Sequence, residues 1–257
     1  MAAEAAPSYV LVPELGAGGD TLALAGDEAH YLSRVVRVRA GERVIATDGA
    51  GLVAALEVLE TGASVRVRIV ERQTRERVSR LVLWCGAPEG DRADWLVEKL
   101  AELGVATLQP VDTSRASWER FEAKRERWER LATAALRQSR SAFRMELREP
   151  VRLADAIAAS PGVTCGWVGH PDGGPVGDIL RQVSGQAVAA IGPSSGFSPE
   201  ELNALRERGF IPVALARTRL RTETAALAMA SAWAAAGCVS GGSEPGLPPE
   251  PGSRSRS

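Results

Sequence analysis

Three arginines at alternate positions stand beside a single acid near the end of the chain. They are Arg217, Arg219 and Arg221, and the acid of the same segment is Glu223. Guanidinium groups bind anionic oxygens and a carboxylate can accept a proton, so residue chemistry predicts an anion-facing loop with one potential base. The alternative is ordinary turn chemistry, in which Thr222 only caps the helix that follows.

A second segment, residues 190–201, is suited to the close approach of a ligand to the backbone. A short apolar run is followed by the turn Gly-Pro-Ser-Ser-Gly at 192–196. Ser198, Pro199 and Glu201 then have the types preferred at the N-cap, first and third positions of a helix. The segment predicts a strand, a tight turn and a capped helix, although turn chemistry alone would also explain it.

The sequence offers little material for other common chemistries. It has no GxGxxG opening a first helix and no GxxxxGK[ST], which argues against a dinucleotide-binding or ATP-hydrolysing protein. The only histidines, His30 and His170, are far apart in the predicted layout, so a Ser/His triad is not favoured. Cys85, Cys165 and Cys238 are widely spaced and odd in number, so we expect neither disulfides nor a metal site.

The composition indicates a folded globular protein. With 257 residues, 45% hydrophobic and 25% charged residues and a formal net charge of −1, the chain is not a disordered regulator. No apolar run reaches the roughly 18 residues that a membrane span needs, and the first residues lack the basic and apolar regions of a signal peptide. We therefore expect a soluble, cytoplasmic protein.

A basic stripe interrupts the overall charge balance. Residues 113–148 contain ten basic and five acidic side chains, a net charge of +5. Because arginine binds phosphate at two points and stacks on bases, such a stripe is typical of a surface that binds RNA. The alternative is a solvated helix face with pairs such as Glu126 and Arg130.

The first 75 residues predict a small β-barrel around one helix. The predicted strands cover residues 9–12, 21–24, 43–46, 52–59 and 64–70. Asp27 is the predicted N-cap of a helix over 28–38, which would present His30, Arg34 and Arg37 on one cationic face.

From Arg80 onward, strands and helices alternate, which predicts an α/β domain with a parallel sheet covered on both faces. Polar residues 72–79 are the predicted linker, and residues 239–257, rich in Gly, Pro and Ser, are a predicted disordered tail. Ligands of such sheets bind beyond the carboxyl ends of the strands, so the loops 169–174, 192–198 and 216–223 are the candidate sites.

These segments together resemble one family. Ile-Gly-Pro-x-x-Gly-Phe-Ser at 191–198, followed by Leu-x-x-x-x-Leu-Arg-Thr-Glu-Thr-Ala at 215–225, resembles the RsmE family of 16S ribosomal RNA (uracil-N3) methyltransferases. The segments 30–41 and 90–104, and Gln-Ser at 138–139, are similar to further segments of that family. The resemblance covers about residues 8–238.

The resemblance implies an α/β fold in which a PUA-like, RNA-binding barrel (1–75) precedes a SPOUT domain (76–238) whose parallel sheet contains a trefoil knot. It implies methylation of N3 of a uridine in 16S rRNA, on naked RNA or the small ribosomal subunit, by a homodimer that uses S-adenosyl-L-methionine. The implied cofactor-binding residues are Ile191, Gly192, Pro193, Ser195, Gly196, Leu215, Ala216, Leu220, Thr222 and Thr224.

The residue roles that follow are hypotheses. Arg221 would stabilise the uridine anion and Glu223 would orient the base or the cofactor, and Arg34, Arg37 and Arg140 would bind RNA phosphate. A structural ion pair between Arg221 and Glu223 is the alternative.

The chain departs from the family pattern in the two loops. Where the family usually has Gly-Pro-Glu-Gly-Gly, this chain has Ser194 and Ser195 in place of the acid and a glycine. Ala216 replaces a second glycine, and Arg137 stands where an acid usually precedes Gln-Ser. Loss of glycine would strain either loop if a positive φ were required there. These departures leave open a SPOUT methyltransferase acting at another RNA position, or a non-catalytic RNA-binding or ribosome-assembly factor.

Overall fold

The computed structural model of the protein describes residues 7–77, 79–160, 165–179 and 185–240. The N-terminal elements are β1 (Ser8–Leu11), a 3-10 turn (Pro13–Gly16), β2 (Thr21–Leu24), α1 (Gly26–His30), a π-helical segment (Tyr31–Val36), β3 (Arg43–Thr47), β4 (Leu52–Glu60) and β5 (Val65–Thr74). They reproduce the five predicted strands to within a few residues at each end.

The five strands form one sheet in the order β1-β3-β4-β5-β2, in which β1 and β3 are parallel and the other pairs antiparallel. Alternate residues of β5 are buried and exposed, as a strand with one solvated face requires. The buried side chains, among them Val10, Leu32, Leu56 and Val67, form a core of their own. The N-terminal strands thus have an apolar core of their own, and Tyr9, Ile45 and Val53 belong to a second cluster that also contains Leu136 of the following unit.

The predicted helix of this unit differs from the structure. Its N-cap is Ala25, with no side-chain hydrogen bond, so the prediction of Asp27 as the cap is wrong. After His30 the helix widens into π-helical turns, and it ends at Arg37, whose φ of 61° is left-handed. A π-helical turn is wider than an α-helical turn and changes the angular spacing of side chains. The i, i+4, i+7 spacing of an α-helix therefore does not apply to Arg34 and Arg37.

The second unit alternates strands and helices as predicted. Its elements are β6 (Ser79–Cys85), α2 (Ala93–Glu102), β7 (Thr107–Asp112), α3 (Phe121–Ser139), β8 (Glu146–Leu147), β9 (Val151–Arg152), α4 (Leu153–Ala158), β10 (Gly166–Pro175), α5 (Val176–Ile179), β11 (Gly185–Ile191), α6 (Pro199–Glu207), β12 (Phe210–Ala214) and α7 (Thr222–Ser240). The strands pair in parallel in the order β12-β10-β11-β6-β7-β8, and β9 also pairs with β7.

Helices cover both faces of this sheet. Leu81 and Leu83 of β6 point into a core shared with α2, α3 and α7, whereas Val82 and Trp84 point into a core shared with α4 and α6. Successive residues of a strand face opposite sides, so a strand buried on both faces is apolar throughout. No helix within the described ranges is both long and apolar enough to span a lipid bilayer.

Several boundaries differ from the predictions. The linker is shorter than 72–79, because β5 continues to residue 74 and β6 starts at residue 79. Residues 169–174 belong to β10, which continues past an irregularity beside β12 and is not a loop. Of the tail predicted at 239–257, residues 239 and 240 belong to α7 and the rest lie outside the described residues. The sequence also predicts a strand over 163–168 and a short helix over 176–182, of which residues 163, 164 and 180–182 lie outside the described residues.

The barrel is held against the end of α3. Tyr9 Oη donates to the carbonyl of Ser141 at 3.1 Å, and Thr47 Oγ1 donates to the carbonyl of Ala142 at 2.9 Å. Arg137 of α3 forms an ion pair with Glu28 and stacks over the ring of Tyr31. Side chains and backbone thus fix the barrel beside the sheet that carries the candidate site.

Candidate active site

Two bends lie side by side beyond the carboxyl ends of β11 and β12. We call residues 192–196 the first bend and residues 215–221 the second bend. Thr222 Oγ1, at the end of the second bend, donates to the carbonyl of Gly192 at 3.1 Å. The structure therefore brings the two bends together, although 18 residues, 197–214, separate them along the chain.

The end of β6 contacts the first bend through its backbone. Gly86 N–H donates to the carbonyl of Ile191 at 2.8 Å. A Cβ at Gly86 would lie 2.5 Å from the nitrogen and 2.7 Å from Cδ of Pro193, closer than any real side chain allows. Glycine at this position is therefore what permits the bend to pack against the strand.

Gly169 of β10 lies close to the side chains that adjoin the two bends. A Cβ at Gly169 would lie 2.8 Å from Cδ1 of Ile191 and 3.3 Å from Cδ1 of Leu215. These two side chains, both predicted to bind the cofactor, thus meet over Gly169. They form the apolar floor behind the bends.

The replacements of glycine by Ser195 and Ala216 do not strain the bends. In the first bend only Gly196 has a positive φ, 73°, and its N–H donates to the carbonyl of Pro193 at 2.8 Å. Among the described residues other than glycine, only Arg37 and Arg140 have a positive φ. Neither Ser195 nor Ala216 has a positive φ, so the backbone of neither bend requires glycine at these positions.

Two arginines hold the carbonyl groups of the first bend. Arg219 Nη2 donates to Ser194 O at 2.8 Å, and Arg115 Nη1 donates to Ser195 O at 2.7 Å. Arg219 comes from the second bend, so this bond joins the bends directly. Arg115 belongs to the basic stripe, and its sequence context gives no signal of this role, which depends on the loop after β7 reaching the first bend.

An open cleft of about 460 Å³ lies between the bends. Its lining residues are Glu89, Ser194, Ser195, Arg219, Leu220 and Arg221. The predicted residues Ser195, Leu220 and Arg221 are thus brought together, whereas Thr224 and Ala216 are exposed outside this lining. Glu89, in the loop after β6, was not predicted, because that loop is remote in sequence from both bends.

Residues 192–196 also match the spacing Gly-x-Ser-x-Gly of a nucleophile elbow, with Ser194 in the central position. Its hydroxyl donates to Glu89 Oε1 at 2.5 Å and not to a histidine. Ser194 therefore lacks the histidine partner that activates the serine of such an elbow. No cluster of metal-ligating side chains occurs in the portion of the chain that the structure describes.

Glu223 has a structural partner other than the predicted one. Its side chain is 5% exposed and forms an ion pair with Arg92, which precedes α2, so the alternative of an ion pair with Arg221 is wrong. Glu223 is not among the residues that line the cleft. Burial, together with the charge of Glu223, raises the pKa of the Cys85 thiol far above its usual range, which makes this cysteine unreactive.

The predicted RNA-binding arginines have different environments. Arg34 and Arg37 are exposed on the barrel. Arg140 is half-buried, has a left-handed φ of 55° at the end of α3, and donates to the carbonyl of Pro7 at 3.2 Å. Its guanidinium is thus already engaged between the two units.

Acidic partners offset much of the basic stripe. The ion pairs are Lys124 with Asp91, Arg125 with Glu129 and Glu149, Arg127 with Asp94, Arg130 with Glu126, Arg137 with Glu28 and Arg148 with Glu146. The stripe is therefore largely a solvated and paired helix face, as the alternative interpretation proposed.

Comparison with known proteins agrees with this architecture. The family model described as an RNA methyltransferase domain matches residues 74–234, and the model of an RNA methyltransferase PUA domain matches residues 24–70. A barrel joined to a parallel sheet whose two terminal bends enclose a cleft is thus, by class, an RNA methyltransferase.

The relatives narrow this class. The chain is 31% identical, over 215 residues, to the ribosomal RNA small subunit methyltransferase E of Mycobacterium bovis, an alignment that covers 78% of this chain and 81% of the relative. The chain belongs to the ribosomal RNA small subunit methyltransferase E family.

Solved structures are similar over nearly the whole chain. A ribosomal RNA small subunit methyltransferase E from Neisseria gonorrhoeae, bound to S-adenosyl methionine, has a TM-score of 0.79 at 27% identity, covering 88% of this chain and 96% of that one. A methyltransferase from Legionella pneumophila in complex with the same cofactor has a TM-score of 0.75 at 27% identity, covering 90% and 97%. The predicted family and fold class, a SPOUT domain with a PUA-like barrel, are confirmed.

Proposed function

We propose that this protein transfers a methyl group from S-adenosyl-L-methionine to N3 of a uridine in the 16S rRNA of the small ribosomal subunit. Membership of the family supports the assignment of the reaction class, and the cleft between the two bends supports the assignment of the site. The domain limits 1–75 and 76–238, and the roles of individual residues, belong to the same proposal.

The two bends have the chemistry that a nucleoside-based cofactor requires. Within the described chain, the N–H groups of Ala216 and Leu220 form no main-chain hydrogen bond, so they are free to donate to a ligand. Ile191 and Leu215 provide apolar contacts behind them. Main-chain atoms of Gly192, Pro193, Gly196, Thr222 and Thr224, with Ser195, would complete the binding site.

The cofactor supplies a methyl group that its sulfonium already activates. The protein therefore has to hold the uracil in line and stabilise the negative charge that N3 acquires when its proton is removed. Arg221, exposed in the lining of the cleft, would stabilise this anion. Glu223, buried beside Arg92, would fix the start of α7 and so the direction of Arg221.

RNA would reach the cleft along the barrel. Arg34 and Arg37 are exposed there and would bind phosphate, which positions the RNA without selecting its sequence. Arg140, already bonded to Pro7, would contribute by fixing the junction between barrel and sheet. We further propose that the protein acts in the cytoplasm and as a homodimer, as the family resemblance implies.

The decisive experiment is mapping of rRNA methylation in a strain that lacks the gene. We expect one methylated uridine of the 16S rRNA to lose its methyl group, and purified protein with S-adenosylmethionine to restore it on isolated small subunits. Unchanged 16S rRNA with a lost methyl elsewhere would identify another RNA target. If calorimetry detected no binding of S-adenosylmethionine, the protein would be a non-catalytic binding factor.

A further inference from the structure

Glu89 is the only acid that lines the cleft within the described part of the chain. The neighbouring acids are engaged elsewhere. Glu223 is buried against Arg92, and Asp91 pairs with Lys124 on α3. Glu201 accepts hydrogen bonds from the main-chain N–H groups of residues 114 and 198. A carboxylate directed at a ligand in the cleft can therefore come only from Glu89.

The contacts of Glu89 orient one of its oxygens and leave the other accessible. Oε1 accepts a hydrogen bond from Ser194 Oγ at 2.5 Å, and the residue is exposed to the cleft. Ser194 is itself held by Arg219, which binds its carbonyl at 2.8 Å. The carboxylate thus has a defined position on the first bend, beside the two guanidinium groups of Arg219 and Arg221.

The side chain of Ser194, in the first bend, contacts the carboxylate that the loop after β6 supplies. Both residues line the cleft. An acid placed at position 194 would therefore face the same part of the cleft as Glu89.

We infer that Glu89 is the group that faces N3 of the target uracil and receives its proton. The N3–H bond breaks, an O–H bond forms on the free oxygen of Glu89, and the electron pair stays on N3, which becomes the nucleophile. Arg219 and Arg221 stabilise the resulting anion, and the protonated carboxyl returns its proton to water. This role deepens the proposed function and depends on it.

The first test is relocation of the carboxylate. Glu89→Gln keeps the shape of the side chain but cannot accept the proton, so kcat should fall by about 10²–10⁴-fold on small subunits from the deletion strain. Adding Ser194→Glu to this variant returns an acid to the cleft and should recover most of the loss. Ser194→Ala, which removes only the orienting hydrogen bond, should have a much smaller effect.

The matched control is Glu207→Gln. Glu207 is an exposed acid at the end of α6, which lies just before the amino end of β12, whereas the bends lie beyond the carboxyl ends of the strands. This variant should transfer methyl groups at the wild-type rate. Binding of S-adenosylmethionine, measured by calorimetry, should be the same in all these variants, since main-chain atoms hold the cofactor.

The second test measures binding without the cofactor. Unmethylated small subunits present N3–H to Glu89, whereas methylated subunits from the wild-type strain do not. The wild-type protein should bind unmethylated subunits about tenfold more tightly than methylated ones, since the methyl group removes a hydrogen bond to the charged carboxylate. Glu89→Gln should abolish most of this preference. In a separate kinetic measurement, the loss of kcat in Glu89→Gln should become smaller as pH rises toward the range in which uracil N3 loses its proton without a base.

Each result supports or overturns the role of Glu89. Near-normal turnover of Glu89→Gln, or a double variant as slow as the single one, would overturn it. A loss of S-adenosylmethionine binding as large as the loss of kcat would also overturn this role, because Glu89 would then belong to the cofactor site. If the wild-type protein transferred no methyl group to small subunits, the proposed function itself would fail, which is a distinguishable outcome.

Discussion

Replacement of Gly86 by alanine tests whether the contact between β6 and the first bend shapes the site. The new Cβ would lie 2.5 Å from the nitrogen of Pro193 and 3.0 Å from the carbonyl carbon of Gly192. Ordinary contact begins at 3.4 Å, so the bend has to move by about 0.9 Å. Both partners are backbone atoms in a closely packed region, and no flexible side chain can yield instead.

The expected effects are on stability and on catalysis. Overpacking of this kind lowers the free energy of unfolding by about 1–3 kcal/mol. A displacement close to 1 Å of a substrate-positioning segment lowers the rate of methyl transfer by about 10²-fold. Urea-induced unfolding measures the first effect, and single-turnover methyl transfer to unmethylated small subunits measures the second.

Gly177→Ala is the matched control, since a Cβ at Gly177 meets no atom within 4 Å and the residue lies in α5. We expect wild-type turnover from this variant. If Gly86→Ala transferred methyl groups as fast as the wild type and unfolded at the same urea concentration, the close contact at Gly86 would have no part in shaping the bend.

Three further changes test single interactions. Arg92→Met leaves the carboxylate of Glu223, only 5% exposed, without its ion-pair partner, and should lower the free energy of unfolding by about 1–3 kcal/mol in urea titrations, with partial recovery in Arg92→Lys. Ser198→Ala removes a capping box shared with Glu201 and should cost about 1 kcal/mol, and an unchanged urea midpoint would contradict this. Burial raises the pKa of the Glu28 carboxyl above 4.5, an effect that its hydrogen bond from an arginine offsets only in part. Between pH 4.5 and the raised pKa the folded chain therefore binds more protons than the unfolded chain, so stability should fall as pH rises through this window. Glu28→Gln should remove that slope from a series of unfolding curves.

Local sequence patterns were sufficient for most of the secondary structure. Ser198 and Glu201 identified the start of α6, and the structure shows the complete capping box. The alternation of apolar runs predicted both the barrel strands and the parallel sheet. The prediction of Asp27 as a helix cap failed because the helix already begins at Gly26, with Ala25 as its N-cap. The prediction of a loop at 169–174 failed because pairing with β12 depends on packing beyond the local segment.

The candidate site was predictable only in part. Arg219 and Arg221 stood out by their type and spacing, and Leu220 was implied by the family resemblance. All three line the cleft. Arg115 and Glu89 gave no comparable signal. Each lies in a loop after a different strand, and a hydrogen bond between loops has no local sequence pattern.

The sequence by itself determined the order of strands and helices and the positions of the two bends. These features follow from periodicity and turn chemistry, which act over a few neighbouring residues. Only the tertiary structure decided that Glu223 pairs with Arg92 and that Glu89 supplies the carboxylate of the cleft. Both depend on the parallel order of β12, β10, β11 and β6, which brings loops distant in the chain to one edge of the sheet.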